Sequence, residues 1–532
     1  MSGGTRASNQ GVNISVVTDG EEPGIERDAK PSTSWPLGPV VALAIVAANV
    51  VFWATFQRAF HPFELEWMEG GVLQHLNRVI EGLPLYPAPS IDFVPYPYPP
   101  FYYYLALPFT KLTGASLLTL RLVSQLATLA SCLAIFAIVR HESRRWDLGV
   151  VCAGLFVATY RVSGAYMDVG RIDSVFVALV LAGIYFLRTR DDVLGLVVAG
   201  GFAFLATLTK QTGLAIFGPM MLWCLYRDAS SFPTSKAALG PGFRFRRTLL
   251  FSGTTLGLTV ASAAVLSSGE GNHFFFYVLG AQSGHEIRWS FLPYFLWNDL
   301  IWALPFAVGT VGVWVWRSKD RLSVLFYLAF FVGIAAAWIV PRAKVGGAMN
   351  NLIPLHACLV VLLGAALSDL LRSEAHRAWV PRAAAVGLAM QILWLSFDPR
   401  IALPRPGDVE RGVRFVKQLA NAKGEVLIPA HGYLAGLAGK RVYAHQMPVD
   451  DLSRSGLPGA ASVREEFARA IADRRFGLIV DSTSRFLEHY PNDHVLAEHY
   501  RKVGSVFEKE GPLTPRSGWQ VAPGVVWVPR DE

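Results

Sequence analysis

The sequence predicts an α-helical polytopic membrane protein of about eleven transmembrane helices, followed by a small α/β domain. Hydrophobic residues make up 52% of the 532 residues and charged residues only 17%, and the mean hydropathy is +0.35. The apolar residues also occur in blocks of about 20, the length that a helix needs to cross the hydrocarbon core of a bilayer. After residue 399 the blocks end and a mixed polar sequence punctuated by proline follows.

Each apolar block is a candidate membrane span. The blocks lie at 37–57, 116–139, 148–160, 172–188, 193–209, 211–227, 248–267, 293–316, 322–341, 350–370 and 379–397. Residues 98–113 are also apolar, but prolines precede and open this segment, so we expect a short helix along the outer face that does not cross. The first block is too long for a signal-peptide core, and we expect an uncleaved first span.

The distribution of positive charge predicts the orientation of the spans. The formal net charge is +8, and Lys and Arg are concentrated in alternate short loops such as 140–147, 227–247 and 317–321. The positive-inside rule places these loops, and the N-terminus, in the cytoplasm. Because the charge is explained by orientation, the sequence does not predict a nucleic-acid partner.

The chain divides into three predicted parts: a disordered cytoplasmic tail at 1–36, a transmembrane domain at 37–399 whose first outer loop covers 58–115, and an extracytoplasmic domain at 400–532. In the last part, residues 424–429 and 476–481 have the pattern of buried strands, and residues 461–474 have that of an amphipathic helix between them. This pattern predicts an α/β domain with its own small core.

The predicted orientation gathers the polar clusters of the transmembrane domain on the outer side. They lie at residues 64–81, 168–174, 209–212, 268–292 and 341–351. Ionisable groups beside membrane spans are costly unless they are solvated or paired. Their clustering on one side therefore indicates a water-accessible cavity.

Two glutamates of the first outer loop are candidates for acid–base chemistry. If residues 66–80 form a helix, Glu66 and Glu69 share one face of it, and either carboxylate could deprotonate an acceptor hydroxyl or amine. A solvated acidic helix on the membrane surface would explain the same residues without catalysis. In the next acidic turn, Asp173 could orient a substrate, or it could simply cap the following helix.

Four cations on the outer side define a candidate anion site: Arg171, Lys210, Arg342 and Lys344. Arg and Lys bind phosphate and pyrophosphate groups well, so the phosphate of a lipid is the predicted ligand. The simpler alternatives are pairing of Arg171 with Asp168, snorkelling of Lys210 to the interface, and contact with the headgroups of ordinary membrane lipids.

Further polar and aromatic residues on this side are candidate substrate contacts: Asp168, Gln211, Asn350, Asn351, Tyr98 and Tyr102. Asn350 could instead be a helix N-cap, and the tyrosines also suit a membrane interface. The histidines have no metal-ligand spacing and the four cysteines lie in or beside apolar blocks. We therefore predict no cofactor and no disulfide framework, and the need for a divalent cation stays open.

Several of these motifs, in order along residues 37–400, together resemble the GT-C glycosyltransferases. They are Glu66-Trp-Met-Glu-Gly-Gly, Glu81-Gly-Leu-Pro-Leu-Tyr, Tyr98-Pro-Pro-Phe-Tyr-Tyr-Tyr, Asp168-Val-Gly-Arg-Ile-Asp, Thr209-Lys-Gln-Thr and Lys344-Val-Gly-Gly-Ala-Met-Asn-Asn. The branch that looks most similar contains the bacterial relatives of protein O-mannosyltransferase and of the aminoarabinose transferase that modifies lipid A.

The resemblance implies a bacterial inner-membrane enzyme that transfers a hexose or pentose from a polyprenyl-phosphate carrier to a glycan, lipid or protein, with inversion. An acidic residue of the first outer loop would be the base, which matches Glu66 or Glu69. Relatives often have an adjacent Asp-Glu pair, whereas Met68 precedes Glu69 here. Arg171, Lys210 and Lys344 would hold the leaving phosphate. A transporter or lipid flippase is the alternative, although it would place ionisable groups near the midplane.

Overall fold

The computed structural model describes residues 37–230, 245–269, 272–374, 377, 379–457, 459–482, 493–507 and 513–530, together with residues 1 and 3. The tail predicted at 1–36 therefore lies almost entirely outside the described residues. The membrane part consists of helices α1 Gly38–Ala59, α2 Glu69–Ile80, α3 Phe101–Ala106, α4 Thr110–Thr113, α5 Leu117–Ser143, α6 Trp146–Ala158, α7 Asp173–Thr189, α8 Val193–Thr209, α9 Gly213–Ser230, α10 Arg246–Ser267, α11 Leu292–Phe295, α12 Pro305–Arg317, α13 Arg321–Ala343, α14 Leu352–Ser373 and α15 Trp379–Trp394.

Every predicted apolar block contains a helix, and the predicted fold class is confirmed. By length and composition, α1, α5, α10, α13 and the segment Met349–Ser373 could each cross a membrane; α6 and α8 are apolar but shorter. The predicted span at 293–316 is broken: Trp289–Trp302 and Pro305–Arg317 meet at 92° and give a sixth crossing only if they are one span. The proline that begins α12 cannot continue the preceding helix, since it lacks the backbone N–H.

Helix α14 forms the centre of the bundle. It contacts α5, α6, α7, α12 and α13, and its most apolar 18-residue window is entirely buried by protein. A helix that is apolar on all sides is typical of a bundle centre. The polar residues just before α14 are therefore held among the ends of several other helices.

The segment 98–113 forms short helical pieces, of which α3 is the longest with six residues. The pieces follow one another without a break over residues 101–113. Even this whole stretch extends only about 20 Å, whereas a bilayer core is about 30 Å thick. This agrees with the predicted short helix and not with a crossing.

The C-terminal part is a mixed α/β structure with elements α16 Asp408–Asn421, β1 Glu425–Leu427, α17 Gly432–Leu437, α18 Gln446–Ser455, α19 Ala460–Ala472, β2 Phe476–Ser482, α20 Asp493–His499, β3 Tyr500–Ser505 and β4 Pro523–Pro529. The sheet order is β1-β2-β4-β3, with β1 and β2 parallel and the other two pairs antiparallel. The two predicted strands and the helix between them are confirmed.

The core of this C-terminal part is shared with the first loop (residues 58–115), so the expectation of a separate core is wrong. Leu76 of α2 and Phe476 of β2 belong to one buried apolar cluster. Phe63 packs with Phe415 in another, and a Cβ at Gly412 would lie 2.2 Å from the Phe63 ring. The sheet and its helices are thereby fixed over the first loop.

Candidate active site

Glu66 lies in the turn before α2 and not within it. Helix α2 begins at Glu69, so the condition under which Glu66 and Glu69 would share one helix face, a helix over residues 66–80, is not met. The Glu66 carboxylate accepts the Met68 N–H at 3.0 Å, and the Glu69 N–H donates to the backbone oxygen of Glu66. In this turn the two carboxylates pair with different arginines, Glu66 with Arg171 and Glu69 with Arg121.

Both carboxylate oxygens of Glu69 are hydrogen-bonded within the protein. Its two oxygens accept from Arg121 at 2.9 and 2.7 Å, and both side chains are completely buried. The backbone N–H groups of Gly170 and Leu65 also donate to Glu69, each at 2.7 Å. Burial opposes ionisation, but Arg121 and these N–H groups outweigh it and lower the pKa of Glu69. Glu69 therefore joins the first loop to α5 and does not reach the cavity described below.

Glu66 is buried but keeps one oxygen without a partner. Oε2 accepts from Met68 and from Arg171 Nη1 at 3.3 Å, whereas Oε1 has no hydrogen bond to any described residue. Burial raises the pKa of Glu66 to about 7, against the opposing effect of Arg171. A carboxylate with a free oxygen and a pKa near neutrality suits a general base. Of the two glutamates, the geometry favours Glu66.

A buried network of charges connects the ends of four helices. Lys210 donates to Asp173 at 2.9 Å and to Asn351 at 3.0 Å, and Asn350 donates to Asp173 at 2.9 Å. Arg171 Nε lies 3.4 Å from Asp173, so the same guanidinium bridges Asp173 and Glu66. The network aligns two cations beside the candidate base.

The simpler alternatives for these residues are not observed. The side chains of Asp173 and Asn350 cap neither α7 nor α14. Lys210 is buried rather than extended to the interface. Arg171 does not pair with Asp168, because Asp168 pairs with Arg58 at 2.7 Å.

The charged and polar residues surround a cavity of about 310 Å³, here called the central cavity. The predicted residues that line it are Glu66, Tyr98, Arg171, Lys210, Gln211, Lys344, Asn350 and Asn351. Tyr98 Oη accepts from Arg171 at 3.3 Å, and the Gln211 amide donates to the carbonyl oxygens of Pro97 and Val278. The clustering predicted from the sequence is therefore present at one end of the bundle.

Other predicted residues lie outside the central cavity. Asp168 accepts from Tyr160 as well as Arg58, and Tyr102 donates to the backbone of Leu120. Both side chains are buried and neither lines the central cavity, so direct contact with substrate is not supported for them. Asp173 lies behind Lys210 and acts on the cavity through it.

The two predicted cations at the end of α13, Arg342 in its last turn and Lys344 just after it, differ in their pairing. Arg342 is neutralised by Asp299 at 3.0 Å and faces a neighbouring cavity. Lys344 donates only to the backbone oxygen of Gln282, at 3.1 Å, and forms no ion pair with a described residue. Burial lowers the pKa of Lys344, with Asp451 opposing that effect. Lys344 is thus a cation of the central cavity whose charge is available to a ligand.

The C-terminal part also contributes to the site, which the sequence did not predict. Gln446, Met447, Asp450, Asp451, Arg454 and Trp519 also line the central cavity. His285 connects this side to the bundle, because it bonds Asp451 and the backbone oxygen of Val345, each at 2.8 Å. The adjacent pair Asp450 and Asp451 was the available signal, but nothing in the local pattern shows where that helix docks.

No metal centre is evident among the residues that the structure describes. No group of three or more His, Cys, Asp or Glu side chains converges there, and the four cysteines are free and buried. The carboxylates of the central network face Arg171 and Lys210 instead. Positive charge at this site is supplied by side chains.

The protein is an integral membrane protein with the fold of the GT-C glycosyltransferases. The resemblance seen in the sequence is confirmed. The family model described as dolichyl-phosphate-mannose-protein mannosyltransferase matches residues 97–243. A comparison with curated protein sequences found no match.

Among solved structures, the chain is similar to ArnT from Cupriavidus metallidurans bound to undecaprenyl phosphate, with 14% identity and a TM-score of 0.54 over 92% of this chain and 98% of that one. The apo state of the same protein gives a TM-score of 0.55 at the same identity and coverage. The oligosaccharyltransferase of Archaeoglobus fulgidus, in complex with Zn and sulfate, gives 0.50 at 10% identity over 87% of this chain and 71% of that one. At these identities the likeness establishes the fold.

Proposed function

We propose that the protein is a glycosyltransferase that moves a hexose or pentose from a polyprenyl-phosphate donor to an acceptor glycan, lipid or protein. The observation that carries the proposal is that Glu66 lines one cavity together with Arg171, Lys210 and Lys344, while its Oε1 has no hydrogen-bond partner among the described residues. A base next to cations is the arrangement needed when an acceptor loses a proton while a phosphate leaves. The GT-C fold supports the same conclusion.

In the proposed reaction, Glu66 Oε1 removes the proton of an acceptor hydroxyl or amine. The acceptor atom then attacks the anomeric carbon from the face opposite the phosphate, and the new bond forms as the carbon–oxygen bond to phosphate breaks. The electron pair of the broken bond stays on the polyprenyl phosphate, whose developing charge is stabilised by Arg171, Lys210 and Lys344. Attack opposite the leaving group gives inversion.

The cavity end of the bundle is proposed to face the outside of a bacterial inner membrane, with the N-terminus in the cytoplasm. This orientation follows from the positive charge of the loops at the other end. We further propose that no divalent cation is required, since side-chain cations already face the carboxylates. Transfer of radiolabelled sugar in proteoliposomes, in the presence of EDTA, tests the second point. Loss of transfer in EDTA with recovery on adding Mg²⁺ or Mn²⁺ would refute the second.

A transporter or flippase is the competing function. Transporters place their binding site near the bilayer midplane, between repeated halves. Here the charged residues lie where helices end: Lys210 follows α8 and Lys344 follows α13. Purified protein that moves polyprenyl-phosphate sugar across vesicles but never transfers the sugar would overturn the proposed function.

The rate of transfer is expected to rise with pH through about 7. The base works only when deprotonated, and burial raises the pKa of Glu66 to about 7. Below that pH the carboxyl holds its proton, so kcat/KM should fall about tenfold per pH unit. A pH profile of kcat/KM tests this, and a profile that is flat between pH 5.5 and 8 would contradict it.

Lys344→Ala is expected to lower kcat/KM for the polyprenyl-phosphate donor by about 10- to 100-fold, the effect of losing one charged hydrogen bond to phosphate. Lys344 makes no ion pair with a described residue, so little of the fold depends on its charge. Lys111→Ala, an exposed lysine that lines neither cavity, is the matched control. Equal kinetics for the two variants would exclude Lys344 from phosphate binding.

A further inference from the structure

A second cavity, of about 560 Å³, adjoins the central cavity and is here called the arginine cavity. The two share wall residues: Tyr166, Gly347, Ala348 and Trp519. Neither Glu66 nor Lys344 lines the arginine cavity, so it is a distinct space beside the proposed reaction centre. The residues of the C-terminal half that line only this cavity are Phe397, Ile401, Ala402, Arg516, Gly518 and Gln520.

The charge of the arginine cavity is strongly one-sided. Arg161, Arg342 and Arg516 line it, and no described Asp or Glu does. Arg342 is neutralised by Asp299. Arg161 is exposed, and its guanidinium makes no hydrogen bond or ion pair with a described residue; only its backbone oxygen is bonded, by the Gly164 N–H. Two guanidinium groups therefore face this space without a carboxylate partner lining it.

Arg516 has a buried hydrogen-bond donor that lacks an acceptor among the described residues. Its Nη2 donates to the backbone oxygen of Ile401, but its Nε is buried and has no partner in the part of the chain that the structure describes. Burial lowers the pKa of Arg516, and the nearby Arg405 acts in the same direction. A buried guanidinium N–H without an acceptor is unfavourable, and an oxyanion would satisfy it.

Four aromatic residues line the same cavity: Tyr160, Tyr166, Phe397 and Trp519. The rings of Tyr160 and Phe397 stack with centroids 6.0 Å apart. Trp519 is 52% exposed and lies on the wall shared with the central cavity. Aromatic faces combined with arginine forks suit a ring-shaped ligand that carries an acidic group.

We propose that the arginine cavity binds a carboxylate or phosphate group on the acceptor, while the reacting hydroxyl of the same molecule lies in the central cavity. Arg161 and Arg516 contact the oxyanion, and Trp519 contacts the sugar ring between the two cavities. This selects an acidic glycan or glycolipid as the acceptor class. The inference rests on the proposed function for the identity of the ligand as acceptor.

The test uses the full chain in nanodiscs of neutral phosphatidylcholine. Calorimetric titration with digalacturonate and with the neutral disaccharide galactobiose compares an acidic probe with its uncharged counterpart. We expect at least tenfold tighter binding of digalacturonate, and loss of that preference in Arg161→Gln and in Arg516→Gln. Arg140→Gln, an exposed arginine at the other end of the bundle, is the matched control and should retain the preference.

Undecaprenyl phosphate as a third probe distinguishes the source of the oxyanion. The affinity of the protein for undecaprenyl phosphate should be the same in Arg161→Gln as in the wild type. Weaker binding of undecaprenyl phosphate by Arg161→Gln would place the phosphate of the donor or of a membrane lipid in the arginine cavity and overturn the proposal. Equal affinity for the two disaccharides, or an undiminished preference in Arg161→Gln, would overturn it as well. The Arg161 guanidinium has no hydrogen bond or ion pair with a described residue, and Arg161→Gln leaves the backbone bond to Gly164 in place. This variant therefore tests the proposal even if Arg516→Gln does not fold. Binding is measured without turnover, so failure of sugar transfer would be a separate result.

Discussion

Glu66→Gln is expected to lower kcat for sugar transfer by about 10²- to 10⁴-fold, the usual contribution of a general base. The amide has nearly the same shape and can still accept the Met68 N–H, but it cannot take a proton from the acceptor. Donor affinity should change little, because Lys344 and Lys210 are untouched. Single-turnover transfer from a polyprenyl-phosphate sugar, with the KM for donor measured in parallel, checks the expectation.

Glu81→Gln is the matched control, since Glu81 is an exposed glutamate just after α2 and lines neither cavity. It should keep the wild-type rate. If Glu66→Gln keeps more than about a tenth of kcat, the base is another group and the assignment is wrong. Full retention in Glu66→Gln, Glu69→Gln and Lys210→Ala together would remove the basis for a catalytic site here.

Arg121→Ala is expected to cost about 3–5 kcal/mol of unfolding free energy, the range for breaking a buried ion pair by removing one partner. The guanidinium donates to both oxygens of Glu69 and also to the backbone oxygens of His61 and Phe63. Without it, a fully buried carboxylate and several loop carbonyls lose their donor. Denaturant unfolding in detergent, followed by tryptophan fluorescence, measures the loss.

The matched control is Arg441→Ala, which removes an ion pair with Asp92 in which both side chains are about half exposed. Exposed pairs contribute about 0–1 kcal/mol, so this variant should unfold near the wild-type midpoint. If Arg121→Ala is no less stable than Arg441→Ala, the Glu69 pair does not hold the first loop in place. Glu69→Gln should also lower stability, which separates its role from that of Glu66.

The positions of the helices could be predicted because burial in a membrane leaves a local record in the sequence. A span needs about 20 apolar residues in succession, and each of the eleven blocks contains a helix. The polar clusters could be placed on one side for a similar reason, since they occur where spans end. The break before α12 was missed because hydropathy averages over a window and does not register the 92° bend at Pro305.

The assignment of partners could not be predicted. Glu66 and Glu69 are three residues apart and look alike in sequence, yet one is bound by Arg121, 52 residues away, and the other by Arg171, 105 residues away. The partner of Asp168 is Arg58, 110 residues away, although Arg171 is its neighbour in the chain. Electrostatic pairing depends on the distance between charges in space, and the residues near each charge in the sequence do not indicate that distance.

The sequence by itself therefore determined that the protein is helical and spans a membrane, where its apolar helices lie, and that its polar clusters gather on one side of the bundle. Hydrophobicity and its spacing are properties of consecutive residues, so they can be read without the fold. Only the tertiary structure decided that Glu69 is a structural anion, that Glu66 keeps a free oxygen with a pKa of about 7, and that the C-terminal part completes the cavity. Burial and pairing act through space, and they set the chemical state of each carboxylate after the chain has folded.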